Sequence, residues 1–137
     1  MNISTIGLKG SSAIRLLLDT QILIWFQTAD RRLKSEISDA MIDPATELFI
    51  SAVVAWEYSD LRYRKKVAAP ETINDLQDGL GFDLLDLPSA IWTDLEKLPP
   101  IHRDPMDRML ISHARLVDMT LVTADKKIHQ YPVKTLW

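Results

Sequence analysis

Five acidic side chains stand where they can do chemistry. Asp19 directly follows the apolar run Leu16-Leu17-Leu18. Glu57 lies almost two turns into a helix-like stretch after Leu48-Phe49-Ile50. Asp104 and Asp107 open another helix-like stretch, and Asp125 ends Thr123-Ala124-Asp125 after the run beginning at Met119. In open α/β sheets, sites form beyond the carboxyl ends of the strands. Four separated segments thus send carboxylates toward one edge of a sheet. Clustered carboxylates repel, and burying them unpaired is costly. Such a cluster persists around something positive. Hard cations such as Mg²⁺ or Mn²⁺ take oxygen ligands and fit that need. The chemistry they serve with few other groups is phosphoryl transfer, in which a metal turns water into a nucleophile.

Each acid also has a plainer explanation. Asp19 can end a strand and begin a turn, although a charge directly after so apolar a run favours function. Glu57 alone suits a solvated helix surface. Asp104 is an N-cap, Pro105 the first helical position and Asp107 the third, much like a capping box. Asp125 can cap the short turn Lys126 to His129. Singly, three of these four segments need no catalysis. Their joint placement after successive strands is what favours a site.

The elements that position them alternate. Ile14 to Leu18 reads as a buried strand ending at Asp19. Asp30 can cap a helix from Arg31 to about Ile42, with Leu33, Ile37 and Met41 on one face. Leu48-Phe49-Ile50 reads as a second strand. Ser51 can cap a helix carrying Val53, Trp56 and Leu61 and finishing in Arg62-Tyr63-Arg64-Lys65-Lys66, cations that suit a helix end. Pro70 begins another helix that stops at Gly79 and Gly81. Phe82 to Leu87 is a third strand. Pro88 opens a helix with Ile91, Trp92, Leu95 and Leu98, stopped by Pro99-Pro100. Asp104-Pro105 starts a helix to about Val117. Met119 to Thr123 and Val133 to Leu136 are the last strands. This alternation predicts an α/β fold with a mostly parallel sheet of about five strands flanked by helices.

Composition narrows the classes. The chain has 137 residues, net charge -3, 47% apolar residues and no cysteine. That length suits one domain, and the composition suits a globular one. Absence of cysteine excludes a disulfide framework, a thiolate zinc site and a cysteine nucleophile, and makes a reducing cytoplasm the expected location. No apolar run is long enough for a signal peptide or a membrane span. The pI of about 5.5 argues against holding nucleic acid by overall charge. His102, His113 and His129 do not form a metal spacing, and His113 reads as structural. The four tryptophans read as core or interface, with Trp25 and Phe26 the better interface candidates.

Taken together, these segments resemble the PIN-domain ribonucleases of the VapC toxin type. The resemblance runs through Leu16-Leu17-Leu18-Asp19-Thr20-Gln21 to Trp25, Leu48-Phe49-Ile50-Ser51-Ala52 to Trp56-Glu57, and Gly81 to Leu87. It continues through Leu98-Pro99-Pro100-Ile101-His102-Arg103-Asp104-Pro105-Met106-Asp107-Arg108 to Ile111, Leu121 to Asp125, and Tyr131 to Trp137. It implies a PIN-like three-layer sandwich over 13–137, preceded by an extension over 1–12. It implies a Mg²⁺- or Mn²⁺-dependent endoribonuclease, the toxin of a toxin–antitoxin pair, forming a homodimer and binding an antitoxin. The family's acidic positions fall on Asp19, Glu57, Asp107 and Asp125. Asp19 and Asp107 are the implied direct ligands, while Glu57 and Asp125 help through water or a second ion. Thr20 can bond a carboxylate or a metal-bound water, and Asp104 stands behind the ligands or caps the helix. Arg64, Lys65, Arg103 and Arg108 are candidates for the RNA backbone, Arg103 and Arg108 with acid pairing as the alternative. Two divalent ions would carry the net charge to about +1.

The chain departs from this pattern in places. Gln21 stands where the subfamily often has histidine. Asp60 adds a charge one turn past Glu57. No glycine occurs in residues 62–66, where relatives often have one. These departures keep a second expectation open, a PIN-fold binding module that acts through a protein partner with little catalysis.

Overall fold

The computed structural model describes residues 14–137. The extension expected over 1–12 lies outside the described residues. Five strands form one sheet in the order β3-β2-β1-β4-β5: β1 (Ile14–Leu18), β2 (Thr46–Ser51), β3 (Asp83–Leu85), β4 (Thr120–Val122) and β5 (Thr135–Leu136). Every pairing is parallel. Among the described residues six α-helices flank the sheet: α1 (Thr20–Gln27), α2 (Ser35–Ile42), α3 (Ala52–Tyr63), α4 (Ile73–Leu80), α5 (Ile91–Leu95) and α6 (Pro105–Val117). A 3₁₀ turn covers Ile128–Gln130.

The central strand explains the core. Leu16, Leu17 and Leu18 are at most 1% exposed, so β1 is buried on both faces. A parallel strand covered by helices on each side demands such a continuous apolar run. Full burial of each leucine contributes roughly 1.5–3 kcal/mol. Leu16 and Leu17 pair with Leu48 and Phe49 of β2 on one side and with Thr120 and Leu121 of β4 on the other.

The strand order creates a crevice. From β1 the chain moves to β2 and β3 on one side, then returns to β4 and β5 on the other. β1 and β4 therefore flank the topological switch point, where the connections leave in opposite directions. The Asp19 N–H donates to the Val122 carbonyl at 3.0 Å and closes the base of that crevice.

Several boundaries differ from the sequence expectation, each for a local reason. The second helix begins at Ser35, not Arg31. Asp30 instead holds the Arg32 N–H and guanidinium in a tight turn, following Ala29 at φ 52°. The fourth helix begins at Ile73 rather than Pro70, because Thr72 and Asp75 form a complete capping box. It ends at Gly81 in the left-handed region, as expected. The third strand shrinks to Asp83–Leu85 and lies at the sheet edge. Asp104 caps α6 through the Met106 N–H at 2.9 Å.

Candidate active site

Asp19 sits where β1 becomes α1. It is 8% exposed and caps the helix, accepting the Thr20 N–H on Oδ1 at 2.7 Å. Across the crevice, Thr123 Oγ1 donates to Asp19 Oδ2 at 2.7 Å. Thr20 Oγ1 donates to Glu57 Oε1 at 2.6 Å and so fixes the carboxylate that α3 supplies. Asp107 comes from the first turn of α6. Asp125 follows β4, with its N–H on Thr123 Oγ1 at 3.1 Å. Its Oδ1 accepts the Lys127 N–H at 2.9 Å. Asp19, Thr20, Gln21, Glu57, Asp104, Asp107 and Asp125 line one cleft of about 360 Å³. A groove of about 410 Å³ opens beside the start of β2 and β3, lined by both apolar and acidic residues such as Met41, Asp43, Glu47, Leu80 and Asp83.

The electrostatics are those of a site lacking countercharge. Burial pushes Asp19 up from 3.8 to about 6, against the bonds from Thr123 and Thr20, with Glu57 and Asp125 adding repulsion. Asp107 rises to about 7, first through burial and then through repulsion from Asp19, Asp104 and Glu57. Asp125 goes the other way. Burial pulls it up, but hydrogen bonds from His102 and the Lys127 N–H outweigh that and hold it below the usual range. Oxygen donors with a shared deficit of positive charge suit a hard divalent cation. The residues present therefore fit a Mg²⁺ or Mn²⁺ site.

The cleft brings together all four expected acids, with Thr20 and Asp104 beside them. Three further residues belong to its construction. His102 Nε2 lies 2.8 Å from Asp125 Oδ2 and 3.0 Å from Asp107 Oδ2, so this histidine does join a potential metal-ligating trio, contrary to the spacing argument. Sequence spacing fails here because the loop folds back over the start of α6. Thr123 was legible only as the residue two before Asp125. Tyr131 lies far along the chain, and its hydroxyl accepts the Ile101 and His102 N–H groups at 3.2 and 2.7 Å.

Other expectations are corrected. Arg108 pairs with no acid among the described residues, and its side chain is engaged within the fold. Its guanidinium donates to the Pro99 and Leu95 carbonyls at 3.0 and 3.3 Å and to the Tyr131 hydroxyl at 3.3 Å. Arg64 pairs with Asp60 at 2.9 Å, which accounts for that extra acid as a surface partner. Lys65 and Arg103 are exposed. Trp25 is buried against Trp137, with ring centroids 5.9 Å apart, rather than offered to a partner. Trp56 and Trp92 are the exposed tryptophans, at 58% and 59%. Trp56 borders an apolar groove with Ala52, Val53, Leu87, Met106 and Met109. No helix among the described residues is long and apolar enough to cross a membrane.

Comparison with known proteins agrees with this geometry. No curated protein matches the chain by sequence. Solved structures match by fold. VapBC2 from Rickettsia felis, bound to a DNA fragment from their promoter, aligns with TM-score 0.61 and 18% identity, over 90% of this chain and 99% of that one. DNA-bound VapBC from Salmonella typhimurium aligns with TM-score 0.60 and 16% identity, over 90% and 97%. FitAB bound to the IR36 DNA fragment aligns with TM-score 0.59 and 15% identity, over 88% and 93%. The PIN domain model matches residues 16–134. That span holds β2, β3, β4, the last three residues of β1 and all five acids of the cleft, and it places this chain in the PIN-domain family.

Proposed function

We propose that this chain is a divalent-metal-dependent endoribonuclease that hydrolyses RNA phosphodiester bonds, and that it is the toxin of a toxin–antitoxin pair. The observation that carries the reading is the cleft at the switch point, where four segments converge Asp19, Glu57, Asp107 and Asp125. The raised values of Asp19 and Asp107 support a site completed by a cation. When bound, Mg²⁺ or Mn²⁺ would supply an activated water and offset charge building on the phosphate.

The chain's own residues divide the remaining work. Asp19 and Asp107 would hold the cation directly. Glu57, fixed by Thr20, faces the same cleft and acts through water. Asp125 has one oxygen on the Lys127 N–H and the other beside His102, which suits an outer position. Asp104 remains a helix cap. Exposed Lys65, Arg103, Lys126 and Lys127, together with Arg64, are the cations available to an RNA backbone.

An antitoxin partner and a cytoplasmic location belong to the same proposal, supported by the family and by the VapBC and FitAB fold neighbours. So does a homodimer, for which the exposed apolar groove around Trp56 offers a surface. Light scattering that finds only monomer would remove that part.

The deciding experiment is RNA cleavage by the purified protein with and without Mg²⁺. Asp19→Asn and Asp107→Asn should each lower the rate by at least about 100-fold, since even outer partners of a metal site cost 10–100-fold. Cleavage in the presence of chelator, or full activity in both variants, would overturn the reading. Cation binding with no cleavage would favour a PIN-fold binding module instead.

A further inference from the structure

The start of α6 carries an irregularity that the rest of the chain makes visible. Thr72 and Asp75 open α4 with a complete capping box: the Thr72 side chain accepts the Asp75 N–H, and the Asp75 carboxylate accepts the Thr72 N–H. Asp104 and Asp107 have the same spacing at α6, but neither bond of the box forms. Asp104 accepts the Met106 N–H at 2.9 Å. Its own N–H, which Asp107 would accept in a full box, donates instead to His102 Nδ1 at 3.2 Å. The Asp107 carboxylate faces the cleft.

That contact fixes the state of the ring. A backbone N–H can only donate, so His102 Nδ1 must be the acceptor and carries no proton. Nε2 is then the ring's N–H donor. Nε2 lies 2.8 Å from Asp125 Oδ2 and 3.0 Å from Asp107 Oδ2. One N–H thus reaches two carboxylates that would otherwise repel. The three donor atoms have the composition and closeness of a metal trio. To ligate through Nε2, however, the ring would have to move its proton to Nδ1 and lose the Asp104 bond.

The ring is also held from behind. The Tyr131 hydroxyl, in a residue 4% exposed, accepts the main-chain N–H groups of Ile101 and His102. Arg108 donates to that same hydroxyl and ties the loop to α6 through the Pro99 and Leu95 carbonyls. The His102 side chain is 12% exposed. An arginine, a tyrosine and a loop backbone therefore set the position of one imidazole.

We propose that His102 is a positioning residue: it takes the Asp104 N–H in place of Asp107, releases Asp107 to the cleft, and holds Asp107 and Asp125 together through Nε2–H without ligating the cation. The last clause rests on the proposed cation site; the tautomer and the broken capping box do not. Asn at this position can offer an acceptor near Nδ1, and Gln a donor near Nε2. Ala offers neither.

The test combines ring spectroscopy with binding. A long-range ¹H–¹⁵N spectrum of metal-free protein should show His102 protonated on Nε2 alone, and saturation with Mg²⁺ should leave it so. A proton on Nδ1, or loss of the Nε2 proton as Mg²⁺ binds, overturns the proposal in favour of a ligand. Titration calorimetry with Mn²⁺ should show His102→Ala weakened about 10–100-fold, the range for partners that orient metal ligands. His102→Gln should recover most of that loss, with both variants folded by circular dichroism. Equal loss in the two variants overturns it as well. If wild-type protein binds neither ion, the cation reading fails, and the metal-free spectrum alone decides on His102.

Discussion

Thr123 Oγ1 donates to Asp19 Oδ2 at 2.7 Å and, through the same oxygen, accepts the Asp125 N–H at 3.1 Å. One hydroxyl thereby joins the acids that follow the two strands flanking the switch point. It is fully buried. Thr123→Val keeps the shape but strands the Asp125 N–H and one Asp19 oxygen. It should cost about 1–3 kcal/mol in urea unfolding. Because the Thr123 bond lowers Asp19, its loss should also move the onset of Mn²⁺ binding to higher pH. Thr123→Ser should restore both.

Asp107 gives the protein a stability that depends on pH. Its folded value of about 7 lies above 3.8, so between those values the folded state holds a proton that the unfolded chain has released. The stabilisation is complete below about pH 4 and is lost as pH rises through about 7. Metal-free Asp107→Asn should therefore gain on wild type as pH goes from about 5 to about 8, read as a difference in Tm. His113, which burial holds below 6.5, titrates in the opposite sense but is common to both proteins and cancels. Mg²⁺ needs ionised carboxylates, so it should raise the wild-type Tm more at the higher pH.

Lys65 occupies the left-handed region at φ 56°, just past α3. A side chain there costs roughly 1 kcal/mol that glycine does not incur. Lys65→Gly should stabilise the fold by about that amount in denaturant unfolding. RNA affinity should fall in the same variant if this cation meets the backbone. The missing glycine of residues 62–66 is thus a conformational requirement left unmet.

The arginines near the aspartates separate by role. Arg108→Ala strips donors from two carbonyls and the Tyr131 hydroxyl, and should lower Tm by several degrees. Arg103→Ala removes an exposed cation, and should leave Tm unchanged while weakening RNA binding in a salt-dependent way. The two measurements run in parallel on the same preparations.

Much of this was legible in the sequence because it depends on local pattern. Leu16-Leu17-Leu18 announces a strand buried on both faces, and Asp104-Pro105 announces a helix start to the residue. The acids were readable because each follows or precedes such an element. What pattern does not carry is where a loop folds back. Asp30 looks like a helix cap, yet its carboxylate is taken by Arg32 two residues on. Arg108 looks like a free cation until the Leu95 and Pro99 carbonyls turn toward it. His102 has no helical or strand period to mark it, and its two carboxylate partners lie 5 and 23 positions away. Trp56 follows the helical period but faces a groove that none of the described residues fills.

The pairing of Thr123 with Asp19 spans 104 positions. Since β1 is central and β4 comes late in the chain, a nascent polypeptide emerging from the ribosome has Asp19 and Glu57 long before it has Thr123 or Asp125. Such distant contacts are the slow ones to form. The carboxylate cluster is therefore incomplete throughout nearly all of synthesis. A chain interrupted anywhere before Thr120 lacks the strand that closes the crevice. Truncated products carry most of the fold's residues without the assembled cleft.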